Sequence, residues 1–278
     1  MSLDGKSGNC ELPDYPVRRN HPAALTYVAQ HDVVAACGGR YLTDTDRCWI
    51  FDGSSWSPLP NSKQRHCWQD SPNLAVEQGW WITGPRQINE KYQCTNEWTS
   101  EIFNGKEWIP GPPHPTGQYS HHGCAVNLNT THSMFIGGDP TVRRSWIYNW
   151  ISGTWTETGM LNTGRHGHGC VNLGEQGILA VGKRGGATDS VELYNPVSGT
   201  WSQQADPDVY IHSTWGPILL GHDGRVIAMF RENKPHVYEL SKDRKWSVLQ
   251  GVQLPKPFSN YIHDKAVLVP SDFAKSCM

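Results

Sequence analysis

Five tryptophans recur at nearly constant spacing: Trp56, Trp108, Trp155, Trp201 and Trp246 lie 52, 47, 46 and 45 residues apart. A period of this size restricts the chain to a repeat architecture, in which each copy builds one supersecondary unit and buries its core against its neighbours. Each Trp follows the same local pattern. A short apolar run with an aromatic precedes it: Trp49-Ile50-Phe51, Glu101-Ile102-Phe103, Trp146-Ile147-Tyr148, Val191-Glu192-Leu193-Tyr194 and Val237-Tyr238. Between aromatic and Trp sit Asp52-Gly53, Asn104-Gly105, Ser152-Gly153, Ser198-Gly199 and Lys242-Asp243. Dipeptides of this kind between apolar runs mark hairpins, because Gly and Asn accept positive φ.

Upstream of each aromatic lies another apolar run, at 33–37, 80–83, 133–136, 178–181 and 226–229. Two of these runs end in a glycine pair, Gly38-Gly39 and Gly137-Gly138; two keep one glycine, Gly84 and Gly182; the fifth has none. A further strand is predicted before each, over 24–28, 72–76, 124–128, 169–173 and 215–219. Four antiparallel strands in about 46 residues make a propeller blade. Composition agrees: 28 Gly, 19 Pro and 13 Trp beside only 37% hydrophobic and 18% charged residues favour an all-β chain of short strands and tight turns.

Tyr194-Asn195-Pro196-Val197-Ser198-Gly199-Thr200-Trp201 resembles the kelch repeat, and Tyr148 to Trp155 is the next closest copy. The resemblance extends over about residues 10–270. Five units lie near 18–60, 61–112, 117–160, 163–206 and 210–254; strands predicted at 260–263 and 266–269, with Cys10–Pro16 resembling the segment after Trp56, add another, so a six-bladed kelch-type β-propeller is expected. The closing blade is expected from 258–270 together with 1–17, incomplete because residues 1–9 are short and polar. Residues 1–9 are then an N-terminal extension and 271–278 a C-terminal tail. The missing glycines of the fifth unit and the insertion Pro85 to Trp98 in the second depart from the pattern.

In an up-and-down blade, the loop from strand two to strand three and the crossing from strand four to the next blade open on one side. These segments collect arginines: Arg40, Arg86, Arg143, Arg144, Arg184 and Arg231 after second strands, with Arg18, Arg19, Arg65 and Arg165 before first strands. Guanidinium groups bind carboxylates bidentately, so an acidic segment of a partner is the expected ligand. Acidic residues in the same loops, Asp44, Asp46 and Asp139 among them, offset part of that charge. In the insertion, Tyr92 joins Arg86 as an interface residue type. His122 and His168 read as the same repeat position at the start of a first strand. They suit hydrogen bonding or packing better than metal, so no metal or cofactor is expected.

The reading is therefore a non-enzymatic protein-binding scaffold or adaptor, monomeric on its own. Kelch-like propellers also include copper radical oxidases, and other propellers are sialidases, but no ligand spacing or nucleophile motif of either is present. A degenerate copy without a partner is the remaining alternative. A formal charge of −2 argues against a nucleic-acid partner, and no apolar run reaches the ~18 residues of a membrane helix. The hydrophilic start suggests a cytoplasmic protein by default, and an extracellular one if the natural start lies upstream. Among eight cysteines, Cys37 and Cys48 face each other across a turn and could bridge, or could be small buried apolar residues. Asn129-Thr130-Thr131 is a glycosylation sequon that matters only on export.

Overall fold

Hydrogen-bonded turns at fixed offsets build the strands. Asp52 Oδ1 accepts from Ser54 N and Ser55 N at 2.9 and 2.8 Å. Asn104 Oδ1 does the same for Lys106 N and Glu107 N at 3.0 and 2.9 Å. Asn149 serves Ile151 N and Ser152 N, and Asn195 serves Val197 N and Ser198 N. The residue after each aromatic thus closes the third hairpin by an Asx turn, and Gly53, Gly105, Gly153 and Gly199 supply the positive φ.

The computed structural model describes residues 13–16, 24–38, 46–66, 72–87, 94–115, 122–138, 142–182, 191–204, 218–222, 225–229, 236–241, 243 and 245–253. Blade one contains β1 (Ala24–Val28), β2 (Val33–Cys37), β3 (Cys48–Phe51) and β4 (Trp56–Pro58). Blade two contains β5 (Asn73–Val76), β6 (Gly79–Gln87), β7 (Cys94–Phe103) and β8 (Trp108–Pro110). Blade three contains β9 (Cys124–Asn127), β10 (His132–Ile136), β11 (Ser145–Asn149) and β12 (Thr154–Glu157). Blade four contains β13 (Gly169–Asn172), β14 (Ile178–Val181), β15 (Val191–Asn195) and β16 (Thr200–Gln204). Blade five contains β17 (Ile218–His222), β18 (Arg225–Met229), β19 (His236–Leu240) and β20 (Trp246–Gln253). Every sheet runs in sequence order with antiparallel neighbours. The described residues fall into two compact units, one within 1–119 carrying blades one and two, the other within 120–264 carrying blades three to five.

Among the described residues, five blades, not six, are therefore present. Each sheet completes its four strands from consecutive residues, so none requires a strand lent by a terminus. Of the segments expected to close a sixth blade, 258–270 and 1–12 lie outside the described residues, and 13–16 form no strand. Instead Pro13 O accepts from Trp56 Nε1 at 3.1 Å, and Tyr15 packs edge-on against the same indole. In blade two, Pro60 O accepts from Trp108 Nε1 at 2.8 Å. The N-terminal segment thus repeats, as a cap, the contact that the end of one unit makes with the next Trp.

Cross-strand pairing explains the sequence period. Phe51, Phe103, Tyr148 and Tyr194 stand opposite Trp56, Trp108, Trp155 and Trp201, with ring centroids 4.8–5.3 Å apart. Blade five departs from the expected alignment. Trp246 pairs with Leu240, and Tyr238 pairs with Val248. Its first strand spans Ile218–His222, and residues 215–217 of the expected strand lie outside the described residues. The insertion of blade two also differs from a loop: Pro85 pairs with Trp98 and Gln87 with Cys94, so β6 and β7 lengthen into a long hairpin.

Second strands are the most enclosed; Ile178–Val181 is buried throughout and Arg225–Met229 in all but its first residue. Blade-to-blade cores form within each unit. Ala35, Cys37, Trp80, Ile82 and Trp108 join blades one and two. Met134, Ile136, Leu161, Ala180, Tyr194 and Trp201 join blades three and four. Val171, Leu179, Leu219 and Val226 join four and five. Trp201 Nε1 donates to Ser145 Oγ of blade three at 3.1 Å, so the indole spans the wedge and satisfies its polar atom there. Two disulfides reinforce this. Cys37–Cys48 bridges directly opposed residues of β2 and β3, and Cys124–Cys170 ties blade three to blade four.

Candidate partner-binding face

The crossing into blade four is organised around one carboxylate. Glu192, on β15 and fully buried, accepts from Asn162 N at 2.6 Å, Asn162 Nδ2 at 2.9 Å and Thr163 N at 3.0 Å. It also takes Arg165 NH2 at 2.6 Å. Arg165 is itself fully buried, and its NH1 donates to the Gly182 carbonyl at 2.9 Å. Burial pushes the Glu192 carboxyl up, but the Arg165 hydrogen bond and the two backbone amides outweigh it and hold the group below the ordinary carboxylate range. Such a pair is viable because the carboxylate is saturated with donors and both terminal guanidinium nitrogens have acceptors.

Blade two repeats the cradle with a histidine in place of the arginine. Glu101 accepts from Lys63 N at 2.9 Å and Gln64 N at 3.0 Å, and His66 Nε2 lies 3.0 Å from its Oε2. Thr99 Oγ1 meets the other ring nitrogen at 3.0 Å. His66 therefore occupies the position of Arg165. Both carboxylates stand two residues before the paired aromatic, in Glu101-Ile102-Phe103 and Glu192-Leu193-Tyr194. That spacing was visible in the sequence, although nothing in it marked the carboxylates as buried.

The same crossing explains a glycine pair. Gly138 N donates to Arg165 O at 2.9 Å. Gly137 has φ +62, and a Cβ there would stand 2.4 Å from Arg165 O and 2.9 Å from His168 Cε1. Only glycine lets the next blade's entry strand pass so close. His168 is buried, and neither ring nitrogen has a hydrogen-bond partner among the described residues. Burial, followed by the nearby Arg165 and His166 charges, pushes its pKa well below the ordinary histidine value, so the ring is neutral. The β9 and β13 registers place Cys124 opposite Ile136 and Gly169 opposite Val181. His122 (φ +58) thus corresponds to Gly167 (φ +60), not to His168. The expected equivalence of the two histidines is off by one residue.

The remaining arginines divide. Arg144 forms a bidentate pair with Glu157 of β12, Nε to Oε1 at 2.7 Å and NH2 to Oε2 at 2.5 Å, which lowers the Glu157 pKa and raises that of Arg144. Arg143 is exposed and gives only its Nε, to Leu161 O at 2.7 Å. Among the described residues its terminal nitrogens have no hydrogen-bond partner. Arg65 is half-buried on the approach to blade two. Arg86 lies in β6. Arg18, Arg40, Arg184, Arg231 and Tyr92 fall outside the described residues, as does Gly39. Among the described residues, no group of three His, Cys, Asp or Glu is placed to hold a metal ion.

Comparison with known sequences adds one match. Residues 164–207 fit the family model described as Kelch motif; a comparison with curated proteins returned none. The matched stretch spans the crossing at Arg165, the Glu192 cradle and the Tyr194–Trp201 pair, which is the whole of blade four. The match covers blade four, and the same four-stranded antiparallel order recurs in the other four described sheets, so the chain carries a kelch motif within a series of blade-like sheets of one build.

Proposed function

We propose that the chain is a non-enzymatic binding scaffold that takes an acidic protein segment on the loops joining second to third strands. Kelch propellers commonly serve as protein-interaction modules. The observation that carries the finer reading is Arg143: an exposed guanidinium, oriented by one bond to Leu161 O, with its terminal nitrogens open to a carboxylate. A side chain held at Nε loses less freedom on binding than a solvated one. Arg144 and Arg165 already have internal carboxylates and act as supports. Arg65 and Arg86 are further candidates at blade two, and the candidates Arg18, Arg40, Arg184, Arg231 and Tyr92 lie outside the described residues.

The test uses an immobilised chain and a poly-glutamate peptide as probe, at low and high salt. Binding that weakens steeply with salt and drops on Arg143→Ala, while the disulfide-bonded fold persists, supports the reading. Salt-independent binding, or binding indifferent to Arg143→Ala, overturns it.

A further inference from the structure

We propose that Asn129 is an N-glycosylation acceptor and that the chain matures in an oxidising secretory compartment. Two independent observations carry this. The first is local. Asn129-Thr130-Thr131 is the one Asn-x-Ser/Thr sequence in the chain, and it forms the tip of the hairpin between β9 and β10, with Asn129 and Thr130 exposed. Leu128 N donates to His132 O at 2.9 Å and closes the turn. Asn129 Oδ1 accepts from Thr131 N at 2.9 Å and from Thr131 Oγ1 at 3.0 Å. The carboxamide oxygen is thus engaged by Thr131 and His132 Nδ1, while Nδ2 makes no hydrogen bond among the described residues, on an exposed tip of the kind that carries a bulky polar group.

The second observation is remote from the sequon. Cys37–Cys48 and Cys124–Cys170 are disulfides, and bonds of this kind persist in compartments that also perform N-glycosylation and are rare where thiols are kept reduced. One of them begins at Cys124, on the strand that leads into the sequon hairpin.

The transfer balances without a redox partner. Asn129 Nδ2 attacks the anomeric carbon of an oligosaccharide carried on a lipid pyrophosphate. The C–N bond forms as the bond from that carbon to the pyrophosphate oxygen breaks. The lipid pyrophosphate leaves with the electron pair, and one amide proton is released. Asn129 sits at the end of blade three opposite the Gly137–Ser145 connection that carries Arg143 and Arg144, so the glycan shields one edge of the blade and leaves the arginine edge open.

The experiment places a cleavable secretory leader before the full chain and translates it with endoplasmic-reticulum microsomes. The protease-protected product is digested with peptide N-glycosidase and mapped by mass. The expected result is a glycosylated chain in which the enzyme converts Asn129 to Asp. Asn129→Gln and Thr131→Ala abolish the modification and Thr131→Ser keeps it. A protected wild-type chain at unmodified mass overturns the site, as does a glycan that survives Thr131→Ala. On the same product, alkylation without reduction leaves Cys37, Cys48, Cys124 and Cys170 unlabelled; labelling of these four overturns the oxidised state. Neither readout depends on poly-glutamate binding.

Discussion

Replacing Glu192 by Ala tests the buried cradle most severely. The substitution removes the acceptor of four hydrogen bonds at once, from Arg165, from both nitrogens of Asn162 and from Thr163 N. It strands a fully buried guanidinium, which costs about 3–5 kcal/mol, and orphans backbone amides at about 1 kcal/mol or more each. A total near ~5 kcal/mol is a large part of the ~5–15 kcal/mol that holds a folded protein together. With a urea slope of about 3 kcal/mol/M, the midpoint falls by about 1.5 M. Arg165→Met is milder, since the carboxylate keeps three N–H donors, and loses about 2–3 kcal/mol. The sharper expectation concerns the double variant. Removing the stranded charge makes Arg165→Met/Glu192→Ala more stable than Glu192→Ala alone, a coupling of about 1–3 kcal/mol. Urea melts of the four proteins, followed by Trp fluorescence, decide it. If the two losses simply add, or if Glu192→Ala moves the midpoint by less than about 0.3 M, the cradle does not hold blade four.

Three further outcomes follow from the same structure. Opening Cys124–Cys170 by Ser substitution frees a separation of 46 residues and lowers stability by about 4 kcal/mol, against about 3 kcal/mol for the 11-residue Cys37–Cys48 bridge on loop-entropy grounds; thermal melts rank them. Gly137→Ala forces a Cβ to 2.4 Å from Arg165 O at φ +62 and costs about 2–4 kcal/mol, measurable as a lower melting temperature. His114 is buried against Trp98, and burial pushes its pKa down from 6.5 to about 4. The unfolded chain takes up that proton first, so stability present above pH 6.5 is lost as pH falls towards 4, by up to about 3 kcal/mol. His168 works in the same direction, and His114→Phe reduces the slope of midpoint against pH in that window.

The blades were legible because their signals are local and repeated. An aromatic, an Asx turn and a Trp lie within about eight residues, and each acts through a contact that the strand period fixes. The fifth unit shows where this stops. Tyr238 and Leu240 are two apart and share a sheet face, so alternation cannot choose between them, and only the observed register gives the Trp246 partner to Leu240. The single-residue error between His122 and His168 has a similar origin. Without a structure, the glycine at 167 has no visible claim to the φ +60 position that His122 fills at φ +58. The sixth blade was inferred from likeness between Cys10–Pro16 and the segment after Trp56. That likeness is real at Pro13, which accepts an indole N–H as Pro60 does, but it reflects a cap rather than a strand.

Charge was the hardest property to read, because a sequence shows a guanidinium without its partner. Arg165 and Glu192 are 27 residues apart in sequence and 2.6 Å apart in space. Arg144 and Glu157 meet across β11 and β12. These contacts divide the arginines by position. Arg165, at the crossing into blade four, satisfies a buried third-strand carboxylate, and the fold depends on its remaining there. Arg143, on the segment between β10 and β11, is exposed and held only at Nε among the described residues. Recognition at this blade must draw on Arg143 and not on Arg165, because recruiting Arg165 would expose Glu192 and the amides it satisfies. On this argument, charge reversal at Arg143 (Arg143→Glu) abolishes poly-glutamate binding and leaves the urea midpoint within about 0.3 M of wild type. Arg165→Met lowers the midpoint and leaves binding by the folded fraction intact. If Arg165→Met instead removed binding while the melt stayed unchanged, the division between supporting and recognising arginines would be wrong.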